Sequence, residues 1–436
     1  MTDKLEKIVS LCKRRGFVFP GSEIYGGLSG FYDYGPLGVE LMNNVKQSWR
    51  HEMLRRQDNI FELDSSIIMQ RQVWEASGHT SAGFTDPLCE CKKCHRRYRA
   101  DHLEEEGISK CPNCGGELME PRKFNLLVET YIGPVKDDSS LTYLRGETTQ
   151  GIYVNYKNVK TSMSAELPFG IAQIGKAFRN EITPGHFIYR MREFEQMEQQ
   201  HFVKPEDAER FFDYWKNERM RWYLELGIKK ERLKFHSHTK DELAHYAKTA
   251  EDIYYQFPFG WHEMEGIHNR GDWDLSRHSE FSGQDLSETD EQTGEKFYPY
   301  IIETSAGADR ASLAFLCDAY SEDTDNKRVV LKLHPKLAPY KAAVFPLLRN
   351  KPNLVNKARE VYLKLKKDRE GPIVWDDRGN IGKRYYSQDE IGTPMCVTID
   401  FDTLNDDTVT VRDRDTMEQK RVHISELAAL IEKAVK

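Results

Sequence analysis

The chain has 436 residues, 39% of them hydrophobic and 31% charged, with a formal net charge of -7. That length predicts two or three domains with packed cores, and the acidic balance excludes a global attraction to nucleic acid, so any RNA contact must come from local basic patches. No apolar run approaches the ~18 residues that span a bilayer, and the opening MTDKLEKIVSLCKRR has no signal-peptide core, so a soluble, cytoplasmic protein is expected.

Residues 1–15 read as an amphipathic helix. The stretch GSEIYGGLSGFYDYGPLG then suggests a tight loop at the mouth of a site. Pro36 suits the first turn of a second helix, where its missing N–H costs nothing, and Leu37, Leu41, Val45, Trp49 and Met53 repeat at helical spacing, a core pattern. FELDSSIIMQRQVWEASGH follows as a strand and a break. Of eight cysteines, five cluster between Cys89 and Cys114, which in a large chain argues for metal over disulfides. Cys91-x2-Cys94 and Cys111-x2-Cys114 are spaced as two knuckles offering four thiolates to a closed structural Zn2+ site. Cys89 and His95 remain possible substitutes for one ligand. His95-Arg96-Arg97-Tyr98-Arg99 between the knuckles could meet RNA phosphates or form a solvated face. Further on, Glu147 lies in Arg-Gly-Glu-Thr-Thr-Gln-Gly, between turn residues and a run read as β-rich.

Residues 174–202 are the densest stretch. Phe178 to Glu181 is strand-like, Thr183-Pro184-Gly185-His186 breaks the run, and Phe187 to Phe202 reads as a second extended segment. An antiparallel pair joined by a long loop is predicted, carrying Arg179, Arg190 and Arg192 for a polyanion and Glu181, Glu193, Glu195 and Glu198 for a cation, an amine or a base edge. Residues 205–257 read as helical throughout. His236, His238 and His245 are not spaced as a metal site by themselves. Trp261 to Ile267 alternates like a strand and places Glu263 on a candidate site floor. Tyr298–Ile302 is a strand, and the Gly307 turn leads into a helix from about Ala308, whose N-terminus and Arg310 suit an anion.

Residues 321–336 read as a linker. AAVFPLL, PIVWDD, MCVTIDF and TVTVRDRD beyond it are strands, with helices at 351–369 and 423–435, which predicts a separate α/β domain with a mixed sheet. Lys383-Arg384-Tyr385-Tyr386 fits either a surface for unstacked bases or a solvated helix face.

Several strings resemble one family. Phe178-Arg179-x-Glu181 with Arg190-x3-Phe194-x3-Glu198 resembles motif 2 of the class II aminoacyl-tRNA synthetases, and Gly307-x2-Arg310 resembles motif 3. GGLSGFYDYGPLG, VWEASGH and Gly260-Trp261-x-Glu263-x2-Gly266-Ile267 are similar to segments of the homodimeric bacterial glycyl-tRNA synthetases. Four positions depart from that pattern: Gly146 and Thr149 stand where the family shows the Pro and Ala of Arg-Pro-Glu-Thr-Ala-Gln-Gly, Thr304 stands for a frequent Pro, and the motif 1 proline is missing near Arg71-Gln72. The C-terminal region is similar to the anticodon-binding domain shared by the glycyl, histidyl, prolyl and threonyl enzymes.

The resemblance covers nearly the whole chain. It implies an α+β fold: a class II catalytic domain on an antiparallel sheet (1–88 and 122–325, with the helical 205–257 segment inside it), a zinc-ribbon insertion (89–121) and an α/β anticodon-binding domain (337–436). It implies ATP-dependent attachment of glycine to tRNA(Gly) through a glycyl-adenylate, with Mg2+ accompanying ATP, in a homodimer. Arg179 and Arg310 are the expected catalytic residues. Asn180, Glu181, Tyr189, Arg190, Met191, Arg192, Glu193 and Phe194 from motif 2, Glu263 and Met264, and Gly307, Ala308 and Asp309 from motif 3 are expected around ATP. Around glycine the family implies Arg99, Glu147, Phe194, Glu195, Gln196, Met197 and Glu198, with Glu303, Thr304, Ser305, Ala306 and Gly307.

Overall fold

The computed structural model describes residues 3–81, 84–239, 243, 247–367 and 371–435. Helix α1 (Asp3–Arg15) buries Leu5, Ile8 and Leu11 along one face. Helix α2 (Pro36–Arg50) starts at Pro36 and buries Leu37, Leu41, Val45 and Trp49, as the helical spacing predicts; each buried aliphatic side chain contributes about 1.5–3 kcal/mol. Strand β1 (Ile60–Glu62) runs parallel to β2 (Phe169–Phe178). Between them, α3 (Thr149–Tyr153) follows Glu147, so the run after that residue is helical and not β-rich. Its residues pack under the sheet with Phe169, Ile171 and Phe202, and that burial decides the conformation.

Strand β3 (Glu193–Val203) pairs antiparallel with β2, Gln173 opposite Glu198. The connecting segment is tighter than the sequence suggests: β2 ends at Phe178, and Phe187–Tyr189 is a 3-10 turn with all three residues buried. Helix α4 (Ala208–Glu225) comes next. The helical reading of 205–257 fails beyond it. Leu233–Ser237 (β4) and Thr249–Phe257 (β5) are strands, because Ile253, Tyr255 and Phe257 alternate into the core at period two. The part of that reading on 240–242 and 244–246, with His245, lies outside the described residues. Strand β6 (Gly260–Gly271), helix α5 (Trp273–Ser282), strand β7 (Tyr300–Gly307) and helix α6 (Ala308–Ala319) complete this region.

The seven strands form one sheet in the order β4-β5-β6-β7-β3-β2-β1, antiparallel except at the β1 edge. One face is covered by α1, α2, α4 and α6 in a large apolar core that includes Trp49, Trp215, Trp222 and Phe315. The other face is apolar only at one end, around Tyr153, Phe169 and Phe202. Its centre is polar and open. A three-stranded ribbon, Thr85–Glu90, Arg97–Arg99 and Arg122–Asn125, carries the cysteine knuckles.

Residues 321–336 are more than a linker: Tyr320–Asp323 and Arg328–Leu331 form a hairpin. Arg328 donates to Asp389 at 2.7 Å and to the Arg414 carbonyl at 2.8 Å, which pins the hairpin to the C-terminal region. That region has a mixed sheet ordered Ile373–Trp375, Ala342–Pro346, Met395–Ile399, Thr408–Asp413, Gln419–His423, parallel in the first two pairings and antiparallel in the last two. Helices Pro352–Lys367 and Leu427–Val435 pack against it through Leu354, Val361, Leu427 and Ile431. Among the described residues, no helix is long and apolar enough to cross a membrane.

Candidate active site

The polar centre of the sheet follows from the pleat. On β3, Phe194, Gln196 and Glu198 share one face; on β7, Glu303, Ser305 and Gly307; on β6, Gly266, His268 and Arg270. Glu263 joins them only because of a bulge. Tyr254 pairs with Glu263 and Ile253 with Glu265, so Met264 is the extra residue. The bulge turns Glu263 toward the cavity and leaves Glu265 on the helical face, where Arg219 binds it at 2.5 Å.

The cavity over this face is also lined by Glu147, Arg179, Glu181, Ile188, Tyr189, Arg190, Met191, Asp309 and Arg310. Arg179 and Arg310, which come from opposite ends of the sequence pattern, therefore meet in one cavity. Arg179 lies between the rings of Phe84 and Phe194, 5.2 and 5.4 Å from their centroids, and donates to the Gly146 carbonyl at 3.0 Å. Arg310 stands over the Tyr189 ring at 4.5 Å and pairs with Glu263 at 3.1 Å. Glu181 Oε2 is buried without a hydrogen-bond partner, a vacancy that suits a donor or a cation arriving in the cavity.

Three carboxylates crowd the inner end. Glu303 accepts from His268 and Arg270, both at 2.9 Å. Burial opposes its ionisation, but those two cations hold it well below the ordinary carboxylate range. Glu147 lies 3.4 Å from His79 and takes the Gln150 amide at 2.9 Å. Burial again opposes ionisation, and His79 and Arg270 outweigh it, bringing the carboxyl down to about 2. Glu198 differs. It accepts from Thr148, from Thr149 at 2.6 Å, from Ser305 at 2.7 Å and from Gln196 at 2.9 Å, all uncharged donors. Burial and the negative charges of Glu303 and Glu147 push it up to about 7. The pocket is thus short of one positive charge beside Glu198.

Several expected residues lie elsewhere. Glu195, Met197, Thr304 and Ala306 alternate onto the opposite sheet face; Glu195 pairs there with Lys46 at 3.0 Å, and Met197 and Ala306 join the apolar core. Met264 and Ala308 are wholly buried. Arg192 is spent on the Glu181 and Ser29 carbonyls, and Glu193 pairs with Lys176 at 3.1 Å. Neither Asn180 nor Arg99 lines the cavity; Arg99 pairs with Asp86 at 2.9 Å and with Asp101 at 2.5 Å. His268, Arg270 and Gly266 were not anticipated, because period-two alternation from Glu263 points to Glu265 and Ile267, and only the bulge at Met264 brings the even-numbered residues onto the face of Glu263. His79 and Phe84 carried no periodic signal at all.

The four cysteines converge. Sγ atoms of Cys91 and Cys114, and of Cys94 and Cys111, lie 3.6 Å apart, and all four fall within 4.8 Å of one another. Zn–S bonds of ~2.3 Å in a tetrahedron require S···S edges of about 3.8 Å, so the set fits zinc. Cys89 and His95 are outside the cluster; His95 faces Glu90 at 3.2 Å.

The family model described as "tRNA synthetase class II core domain (G, H, P, S and T)" matches residues 133–320, and "Anticodon binding domain" matches 341–434. Glycine–tRNA ligase of Treponema denticola is 55% identical over 442 residues, covering 99% of this chain and 97% of that one. The enzymes so named from Thermobifida fusca and Borreliella afzelii are each 53% identical, covering 98% of this chain and 97% of theirs. Fold, cavity and similarity agree: the chain belongs to the glycine–tRNA ligase family of class II aminoacyl-tRNA synthetases.

Proposed function

We propose that the chain attaches glycine to tRNA(Gly) in two steps. Glycine carboxylate attacks the α-phosphorus of ATP, giving glycyl-adenylate and pyrophosphate. The terminal ribose hydroxyl of the tRNA then takes the glycyl group and AMP leaves. Positioning and charge neutralisation carry such a reaction. Arg179, held by two aromatic rings, suits the α-phosphate and the amino acid carboxylate. Arg310, released from Glu263 when nucleotide enters, suits the outer phosphates, with Arg190 beside it. Phe194 offers a ring face for adenine. Glu181 and Glu263 are the carboxylates placed to meet the base or a phosphate-bound Mg2+, which when bound would neutralise phosphate charge.

The observation that carries the reading is the acidic inner end of the cavity. An ammonium beside Glu198 supplies the missing charge, and a narrow pocket excludes larger side chains sterically, since overpacking costs roughly 1–3 kcal/mol. An amino-acid panel in ATP–pyrophosphate exchange tests it: glycine alone should support exchange, and a preference for any larger amino acid overturns the assignment.

Boundaries at 1–88 with 122–325, 89–121 and 337–436 divide this work between catalysis, a zinc ribbon and anticodon binding. In the last, Lys383 and Tyr386 are exposed, whereas Arg384 is buried and donates to the Pro346 and Gly379 carbonyls, so only half of that basic-aromatic string could meet bases. A homodimer in the cytoplasm completes the proposal, and sedimentation tests the oligomer. Metal analysis should find one zinc per chain, lost from Cys111→Ser; metal-free native protein overturns the ribbon assignment.

A further inference from the structure

Among the described residues, Thr149 is the one that touches both Glu198 and Glu303 with a hydroxyl. It is fully buried in the first turn of α3, 2.6 Å from Glu198 Oε2 and 3.3 Å from Glu303 Oε1. Thr148, next to it, reaches Glu198 only. The two acids sit on adjacent strands, Glu198 opposite Ser305 and Glu303 opposite Gln200, so they are diagonal neighbours with like charge. A hydroxyl holds one proton and two lone pairs. With Glu198 ionised, Thr149 donates to it; with Glu198 protonated, Glu198 can donate to Thr149, which then turns its own proton to Glu303. In the first state Glu303 is held by His268 and Arg270 rather than by Thr149; in the second the hydroxyl bridges both acids.

We propose that Thr149 is a positioning residue for amino acid selection: it fixes Glu198 in the orientation that receives the glycine ammonium and buffers it against Glu303. This deepens the glycine assignment and rests on it. Thr149→Val keeps the shape and removes the donor, Thr149→Ala removes both, and Thr149→Ser keeps the donor.

In ATP–pyrophosphate exchange, Val and Ala should each raise the KM for glycine about tenfold, the loss of one hydrogen bond to a charged group, with the KM for ATP unchanged. Ser should restore the glycine KM to within about twofold, a rescue that loss of packing would not show. A Val variant with wild-type glycine KM, or parallel rises in both KM values, overturns the role. If the wild-type protein shows no glycine-dependent exchange, the functional assignment fails instead, and calorimetric titration of glycine into wild type and Thr149→Val decides the Thr149 question separately: equal affinities refute it, a weaker variant supports it.

Discussion

Glu263 and Glu265 stand two residues apart on one strand, each paired with an arginine, and their fates are opposite. Arg219 and Glu265 are sealed between α4 and the sheet, with side chains 1% and 0% exposed and contacts of 2.5 and 3.3 Å. Arg310 and Glu263 meet once, at 3.1 Å, with side chains 24% and 45% exposed. The buried pair cannot open without stranding a charge in the core. The open pair can exchange one partner for a phosphate at smaller cost, because both side chains reach water at the cavity. One bulged residue, Met264, separates an ion pair sealed in the core from one that faces the cavity.

That contrast can be broken in graded steps. Glu265→Ala should be the most damaging, costing about 3–5 kcal/mol by leaving Arg219 unpaired; the urea midpoint reads it, and a stability change below ~1 kcal/mol would contradict the sealed pair. Arg310→Ala should leave the urea midpoint close to wild type while lowering exchange activity by about 10²–10³, the usual loss for one charge-stabilising group. Unfolding of that variant, or undiminished exchange, would erase the distinction between the two pairs.

A smaller effect concerns pH. Glu198, raised to about 7, binds its proton more tightly in the folded chain than in the unfolded one. Its stability contribution is therefore fully present below the unfolded pKa and is lost as pH rises through about 7, where ionising it costs energy until an ammonium arrives. Glycine should accordingly bind more weakly as pH falls below that point, approaching tenfold per pH unit. A flat glycine KM across this range would show that Glu198 is not the receiving group. Smallest of all, Gly146→Ala should lower exchange severalfold, about 1 kcal/mol, because its Cβ would meet Phe84 at 3.0 Å and Phe84 backs Arg179. Wild-type exchange in that variant would mean Phe84 yields freely.

Much of the site was legible because its residues occur in strings with fixed chemical spacing. Cys91, Cys94, Cys111 and Cys114 announce a tetrahedron, and Arg179, Phe194 and Arg310 meet where their motifs imply. Consecutive residues around those motifs do not share one face. A strand shows alternate residues to opposite faces, so Glu195, Met197, Thr304 and Ala306 had to point away once Glu198 and Ser305 faced the cavity. The helical reading of 205–257 failed for a related reason: the alternation of Ile253, Tyr255 and Phe257 was outvoted by neighbouring Ala, Glu and Leu, whose helix propensity is worth only tenths of a kcal/mol per residue. Sheet pairing on both sides of β5 outweighs that.

By itself, the sequence determined the family, the four-cysteine cluster, the strand and helix that flank the Gly307 turn, and the mixed sheet near the C-terminus, since each depends on residues close together in the chain. Only the tertiary structure decided that Glu263 and Glu265 part company, that His79, His268 and Arg270 hold two of three acids charged, and that Glu198 is left without a cation. Those outcomes depend on register, bulge and burial, which arise from contacts between strands far apart in sequence and from the low dielectric they create together.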